Sequence, residues 1–417
     1  MPYGEILTLQ AGHFANLVGA SFWRSPETRD LLSVRRSDGS PRAVLFDSRD
    51  SLDGVRDDSS LYASDAPPVS HPAAPQSSAP AGDLASWHGE VTHIQRDGVS
   101  GPSWRDVRFH DRSSVSLPSA PPTFAAGRAA YAECVEVWED RLRYFAEECD
   151  ALQGFHLIVT PEDGFGGLAT ALLTDIRDDY AKTPVLTCTA MPQPNDVSTK
   201  PFHAASAGQT EIVASGPAGA GASDALAAAL NIGLSLSHLH EESSLVVPFV
   251  APAPSRIALA VEAAMAPYTR RSTDAAGAAA EPRSLAGLVN FVTWRRGARI
   301  ALSRVATTPG ERARSLLEGT DPPAGADVYA ESVVMRGVNV DEEALRREAR
   351  CVRMLTVLPF DQKKSKPVFS RLQATPEMKA YAEKVAADFE SASWRALGSL
   401  DEFNETKEAL HSLIDNV

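Results

Sequence analysis

The chain has 417 residues, of which 43% are hydrophobic and 23% charged, a balance typical of a folded globular protein with two or three domains. Its net charge of −14 argues against a nucleic-acid-binding protein, because phosphate contacts require clustered Lys and Arg side chains. No apolar run reaches the roughly 18 residues that a transmembrane helix needs, so we expect no membrane-spanning segment.

The N-terminal residues and the cysteines indicate a cytosolic setting. The first residues lack a basic region followed by a long apolar one, and they are not Arg-rich or Ser-rich, so neither a secretory signal nor a matrix-targeting presequence is expected. The four cysteines are scattered without metal-ligand spacing, which favours buried thiols in a reducing compartment; they are Cys134, Cys149, Cys188 and Cys351.

The chain opens with a strand, a glycine turn and a helix. Glu5–Leu9 is an apolar run that predicts a buried strand, Gln10-Ala11-Gly12 interrupts it, and apolar residues at helical spacing predict a helix over Phe14–Trp23. Arg42–Phe46 predicts a second strand that ends at Asp47, and a short helix is expected at 52–55. A strand, a glycine turn and a helix N-terminus can together bind an anion, since unpaired backbone N–H groups point at the turn.

The same order of elements recurs at residues 141–180, the stretch around which the rest of the chain is organised. Phe155–Val159 predicts a strand buried on both faces, the glycine-rich loop Glu162–Gly167 follows, and a helix presents Leu168, Leu172, Leu173 and Ile176 on one side. The side chains of this loop argue against phosphate binding, because Glu162 and Asp163 place two carboxylates where phosphate oxygens would lie. Like charges at a few ångströms repel by about 1–4 kcal/mol, depending on exposure.

Further strand and helix units follow, separated by low-complexity segments. Strands are predicted at Val185–Thr189 and Ser243–Val250, and helices at Ala129–Leu152, Ala225–His240 and Ser255–Ala266. Flexible inserts are expected at about 64–82, 113–127 and 204–223, with a further flexible loop at 271–283.

The pattern changes near residue 285, where clustered strands replace the alternating units. Strands of a half-exposed sheet are predicted at Arg299–Ala306, Val328–Arg336 and Val352–Leu358, and helices at Met378–Trp394 and Asp401–Ile414. We therefore predict an N-terminal parallel-sheet domain (1–252), a central helix and flexible loop (253–284), a second α+β domain (285–375) and C-terminal helices (376–417).

A group of histidines and tryptophans between residues 87 and 110 raises the alternative of a metal site. His88, His93 and His110 match no metal-ligand spacing, and no cysteine joins them. We therefore expect no bound metal.

Several stretches resemble tubulins, and within that superfamily they are most similar to the Misato family. Glu5–Trp23 resembles the opening strand, phosphate loop and helix of tubulins, while 146–155, 180–193, Arg336-Gly337 and 393–407 resemble later tubulin segments. The Misato likeness lies in Leu7-Thr-Leu-Gln, in residues 138–155, in Asp163-Gly-Phe and in Ser243-Ser-Leu-Val-Val-Pro. The resemblance implies a tubulin/FtsZ-like α/β fold with a Rossmann-like N-terminal sheet, a central helix, a second α+β domain and C-terminal helices. It also implies a role in mitochondrial distribution, morphology and inheritance, exerted from the cytosol or the outer mitochondrial surface.

The GTPase positions that the resemblance points to depart from the tubulin pattern. Phe165 stands where the loop would carry a threonine, Asp163 replaces a glycine, and Arg49 lies near the place of a metal-side glutamate, although Asp50 is adjacent. Residues 283–290 contain no acid to orient an attacking water, and residues 251–280 contain no asparagine to contact a purine. We therefore expect no catalytic residues. Residual GTP or GDP binding stays open, although turn geometry and core packing are the favoured explanation of the glycines and of Phe14. The candidate nucleotide contacts are Gly12, His13, Phe14, Gly164, Phe165, Gly166 and Gly167.

Three classes of function follow. The favoured one is a non-catalytic tubulin-fold protein that binds cytoskeletal, chaperone or mitochondrial outer-surface partners. The first alternative is a divergent GTP-binding protein that self-assembles. The second is an unrelated α/β enzyme with a glycine-loop cofactor site, which no Ser/His/Asp arrangement supports.

Overall fold

The computed structural model describes residues 4–29, 31, 33–48, 109–192, 220–251, 253–269, 272–273, 279–280, 284–293, 299–307, 313–317, 328–338, 352–358, 360, 367–392 and 394–417. The helix expected at 52–55, the insert at 64–82, most of the insert at 204–223, His88 and His93, and Arg49 and Asp50 lie outside these ranges.

The first part of the chain forms a six-stranded, fully parallel sheet. Its strands, in chain order, are β1 Glu5–Ala11, β2 Ala43–Ser48, β3 Ser114–Leu117, β4 Leu152–Val159, β5 Val185–Pro192 and β6 Leu245–Ala251. Their spatial order is β3-β2-β1-β4-β5-β6, with every neighbouring pair parallel. This is the strand order of a doubly wound sheet, in which the direction of strand addition reverses between β1 and β4.

Helices cover both faces of this sheet because its strands are apolar on both sides. The helices are α1 His13–Arg24, α2 Pro26–Arg29, α3 Phe124–Glu147, α4 Phe165–Asp179, α5 Ala220–Glu242 and α6 Pro254–Thr269. On β1, Ile6 faces the core beneath α1 and α6, whereas Leu7 and Leu9 face the core beneath α3 and α4. The alternation of successive side chains between the two faces of a strand produces these two cores.

The second part of the chain forms a seven-stranded, mainly antiparallel sheet. Its strands are β7 Ser272–Thr273, β8 Ala279–Ala280, β9 Leu302–Ala306, β10 Arg314–Ser315, β11 Ala330–Arg336, β12 Val352–Leu358 and β13 Val368–Ala374. Their spatial order is β10-β9-β13-β11-β12-β7-β8. Helices α6 and α7 (Leu285–Thr293) pack on β11 and β13, so α6 lies between the two sheets.

Three helices complete the fold: α8 Glu377–Ser391, α9 Trp394–Leu397 and α10 Leu400–Asn416. Helices α8 and α10 pack against α5 and bury an apolar cluster that includes Leu234, Phe389 and Leu410. The exposed faces of α8 and α10 carry charged residues, among them the Lys407–Glu390 pair at 3.2 Å.

Three sequence expectations are corrected. The segment 113–127 is not a flexible insert, because β3 pairs in parallel with β2 and α3 begins at Phe124, with the Thr123 hydroxyl accepting the Ala126 N–H at 3.2 Å. The loop at 271–283 contains β7 and β8, which pair with each other. Strands β9 and β11 are not half-exposed but buried along their whole length, whereas β12 alternates between half-buried and buried residues; β13, which the sequence pattern missed, lies beside β11. These segments are short or polar and have no clear strand pattern of their own, so pairing with neighbouring strands stabilises them.

The two sheets are joined by backbone hydrogen bonds at the β6 edge. Val246 donates its N–H to the Arg299 carbonyl at 2.7 Å and accepts the Ala301 N–H at 2.9 Å, while Val250 donates to Leu316 at 2.8 Å. The edge strand β6 is therefore covered by the second part of the chain, which satisfies backbone groups that would otherwise be exposed.

Candidate functional site

The candidate site lies where the loops after β1 and β4 leave adjacent strands. Helix α1, after β1, packs on one face of the sheet, and α4, after β4, packs on the other. Doubly wound sheets bind ligands in the crevice that forms at such a point, outside the carboxyl ends of the strands. The structure thus brings together the two turns that the sequence singled out, Gly12–Phe14 and Gly164–Gly167.

The first turn is closed by Thr160. Gly12 has a φ of 103°, a value that L side chains rarely adopt, and it donates its N–H to the Phe46 carbonyl at 3.1 Å. The Thr160 hydroxyl, at the end of β4, accepts the Ala15 N–H at 3.1 Å. A side chain of the protein therefore caps one of the α1 amides that could otherwise face an anion. The sequence analysis missed Thr160, whose only local signal is a hydroxyl residue directly after a buried strand.

The second turn is capped by its own aspartate. Asp163 accepts the Phe165 N–H at 2.9 Å through Oδ1, and Gly164 donates its N–H to the Pro121 carbonyl at 2.9 Å. A carboxylate at a helix N-terminus is favoured by the helix dipole and by the unpaired amides there. Asp163 thus occupies the position in which the α4 N-terminus would receive an exogenous anion.

The glycines of the second turn permit close packing against protein atoms. A Cβ on Gly167 would lie 2.0 Å from the Phe124 carbonyl oxygen, one on Gly164 would lie 2.4 Å from that of Thr123, and one on Gly166 would lie 1.8 Å from the Ser235 hydroxyl. All three distances are far below normal van der Waals contact. The start of α3 and one side of α5 therefore rest directly on this turn.

Phe165 and Phe14 contribute apolar rings to the two turns. Phe165 is 1% exposed and packs in the core beneath α3 and α4, and its Cδ2 would lie 3.2 Å from a Cβ built on Gly12. Phe14 is 9% exposed and packs in the core beneath α1 and α6. The Phe165 ring therefore lies beside the first turn, in the crevice between the two turns.

Carboxylates set the electrostatics of the crevice. Asp47, 1% exposed, accepts the Asn16 side-chain amide at 2.9 Å, and its Oδ2 is 3.5 Å from Nδ1 of His13. Burial, assisted by the charges of Glu162 and Asp47, raises the pKa of Asp163 well above its usual range. Burial also raises the pKa of Glu162 to about 7. The raised pKa values show that burial disfavours negative charge in this crevice, and the same loss of hydration would oppose an entering phosphate.

In the parts of the chain that the structure describes, no group of three or more His, Cys, Asp or Glu side chains could hold a metal ion. His110, one of the histidines noted in the sequence, instead stacks on Tyr144 with ring centroids 4.9 Å apart. Helix α7 also carries no acid.

Comparison with known proteins shows what the chain is similar to. A tubulin domain family model matches residues 132–273. Protein misato homolog 1 of Mus musculus is 28% identical over 247 residues, covering 46% of this chain and 44% of that protein. Protein misato of Drosophila melanogaster is 38% identical over 94 residues, 19% of this chain and 16% of that protein. Protein DML1 of Gibberella zeae is 27% identical over 237 residues, 44% of this chain and 45% of that protein.

The chain therefore contains a tubulin-like domain and is similar to Misato and DML1 proteins. The predicted fold class is confirmed by the tubulin domain match together with the six-stranded parallel sheet and its helices. The chain spans about half or less of the length of these three relatives. Within the described residues, no helix is both long and apolar enough to cross a membrane.

Proposed function

We propose that this chain is a Misato-family protein that acts in mitochondrial distribution, morphology and inheritance as a non-catalytic tubulin-fold protein that binds other proteins. The mitochondrial role rests on the family resemblance, and the proposed setting is the cytosol or the outer mitochondrial surface. The proposed partners are cytoskeletal, chaperone or mitochondrial surface proteins. Function does not follow from the fold alone, so the site supplies the separate argument against catalysis.

The proposal that the protein is non-catalytic rests on one observation: protein side chains cap the N-termini of both α1 and α4. Asp163 accepts the first amide of α4, and Thr160 accepts an amide of α1. A nucleotide phosphate at this point would compete with these acceptors and would have to enter a buried crevice lined by the carboxyl groups of Asp47, Glu162 and Asp163. In the proposed protein, this degenerate nucleotide site serves to hold the two turns together.

Calorimetry with GTP and GDP on the purified full chain, with and without Mg²⁺, tests this part. We expect no binding at high micromolar nucleotide and no nucleotide released when the protein is denatured. Asp163→Asn is the matched variant, because it keeps an oxygen acceptor for the Phe165 N–H and cannot ionise. Binding by the wild-type chain at micromolar concentration would contradict the proposal and favour the self-assembling GTP-binding alternative.

Depletion of the protein in its own cells, followed by imaging of the mitochondrial network, tests the cellular part. We expect altered mitochondrial distribution, restored equally by wild-type protein and by the Asp163→Asn variant. An unaltered network after complete depletion would contradict the mitochondrial role while leaving the calorimetric result untouched.

A further inference from the structure

A row of polar side chains crosses the apolar core between the first sheet and helix α6. It consists of Thr8 on β1, His156 on β4, Cys188 on β5 and Tyr268 near the end of α6. Thr8, His156 and Cys188 are fully buried, and Tyr268 is 1% exposed. None of these side chains belongs to the candidate site described above.

Strand register and side-chain contacts place Thr8, His156 and Cys188 side by side, and Cys188 lies close enough to Tyr268 to add to the burial that raises the pKa of its hydroxyl. Thr8 and His156 are direct partners on adjacent parallel strands, so their side chains point to the same face of the sheet. His156 Nε2 lies 3.5 Å from the Cys188 sulfur. Cys188 and Tyr268 belong to the same buried cluster beneath α1 and α6, and Ile6 places the Thr8 side of β1 in that cluster as well.

Three polar atoms of this row have no hydrogen-bond partner among the residues that the structure describes: Thr8 Oγ1, His156 Nδ1 and the Tyr268 hydroxyl. Burial lowers the pKa of His156 to about 3, so the imidazole is neutral and Nδ1 offers one donor or one acceptor. A buried polar group that stays unpaired destabilises the folded protein, because it has lost its hydrogen bonds to water. Native proteins commonly satisfy such groups with ordered internal water, which makes two to four hydrogen bonds in a polar site.

We propose that ordered water binds inside the fold among Thr8, His156 and Tyr268. Water both donates and accepts, so it can accept from the Tyr268 hydroxyl and bridge to Thr8 Oγ1 or His156 Nδ1. The site links β1 and β4 to α6, the helix that also packs on β11 and β13 of the second sheet.

Removing one hydroxyl from the row tests the proposal, because the protein is destabilised if water is bound there and stabilised if the core is dry. Thr8→Val and Tyr268→Phe each remove one hydroxyl and change the shape little. With water bound, each variant deprives that water of a partner, and we expect the unfolding equilibrium constant to rise about five- to tenfold. In a dry core, each variant removes an unpaired polar group, and the constant falls instead, which would overturn the proposal.

Thr187→Val is the matched control. Thr187 is also fully buried, lies on the neighbouring strand β5, and shares a 2.6 Å hydrogen bond with the Ser243 hydroxyl. Its loss is destabilising whether or not water occupies the row, so it calibrates the cost of removing a satisfied hydroxyl.

Solvent density in a high-resolution crystal structure distinguishes water from a mere packing effect of the two substitutions. We expect a peak within about 3.2 Å of His156 Nδ1 in the wild type, and its loss or displacement in Thr8→Val. If the surrounding side chains have clear density and no solvent peak is present at this position, the proposal is overturned whatever the stability data show.

Discussion

Individual glycines decide how the turn after β4 packs. Gly167 lies in the first turn of α4, and the start of α3 lies so close that a Cβ would be 2.0 Å from the Phe124 carbonyl oxygen. Backbone atoms cannot rotate away from such a contact as a side chain can. The glycine is therefore required by packing, and its presence alone is no evidence of a phosphate contact.

Gly167→Ala is expected to lower the free energy of unfolding by about 2–3 kcal/mol, because the new methyl group overpacks a rigid contact. Urea unfolding measures the change. Gly39→Ala is the control, since Gly39 has a φ of 83° but a methyl group added there would meet no atom within 4 Å, leaving a backbone cost of about 1 kcal/mol. Equal costs for the two variants would contradict the packing explanation.

Titration of His156 makes the free energy of unfolding depend on pH. Its folded pKa of about 3 is below the ordinary value of 6.5, so between these pH values the unfolded chain binds a proton that the native protein does not. The stability that comes with the neutral ring is therefore present above about pH 6.5 and is lost progressively as the pH falls toward 3.

His156→Gln is expected to remove this part of the pH dependence. Relative to the variant, the wild type should lose about 2 kcal/mol of unfolding free energy between pH 7 and pH 5. Urea titrations of both proteins at pH 7, 6 and 5 measure the difference. His240, whose pKa burial lowers to about 4, remains in both proteins and cancels in the comparison. Parallel pH profiles would show that His156 does not titrate as described.

At the scale of elements, a buried ion network ties three of them together. Arg336 on β11 donates two hydrogen bonds to Glu262 on α6, at 2.6 and 3.1 Å, and lies 3.4 Å from Glu27 on α2. Glu27 also accepts the Ser25 hydroxyl. Both carboxylates and the guanidinium are almost fully buried, so the two-bond geometry with Glu262 dominates the pairing.

Glu262→Gln is expected to destabilise the protein by about 3–5 kcal/mol, because it removes the close charged partner of a buried arginine. Glu27→Gln should cost less, since the two-bond pair remains. Chemical denaturation of the two variants gives the ranking, with Glu390→Gln as an exposed control expected to change stability by about 1 kcal/mol or less. A larger effect at Glu27 than at Glu262 would reverse our assignment of the main partner.

At the scale of the whole molecule, the backbone bonds at the β6 edge couple the two sheets. Val246 accepts the Ala301 N–H and donates to Arg299, so the first sheet continues into the segment that leads to β9. Helix α6 contacts both sheets as well. Together these contacts favour unfolding of the two parts as one cooperative unit.

Ala301→Pro is expected to weaken this coupling, because proline removes the N–H that Val246 accepts. Hydrogen exchange should show faster exchange along β9 and β13 than along β4 and β5. Ala301→Gly is the control, since it keeps the N–H and removes only a buried methyl group. Unchanged exchange in the proline variant, or equal acceleration in both sheets, would contradict a coupling role for this bond.

The sequence by itself determined the strands and helices whose apolar residues repeat at a fixed period. The buried run at Phe155–Val159 falls within β4, and the apolar side of the helix after it is buried as expected. The sequence also indicated the likeness to tubulins and Misato proteins, and the tubulin domain match at 132–273 includes residues 138–155. Burial of apolar side chains drives these choices locally, and so a local pattern records them.

Only the tertiary structure decided how the two glycine turns are filled. Thr160 and Phe124 are remote in sequence from Ala15 and Gly167 respectively, and their contacts arise because β1 and β4 are neighbours and α3 crosses the turn. β13, likewise, is held by pairing with β9 and β11. Contacts between residues distant in the chain depend on the whole fold, and no pattern within a short window of sequence specifies them.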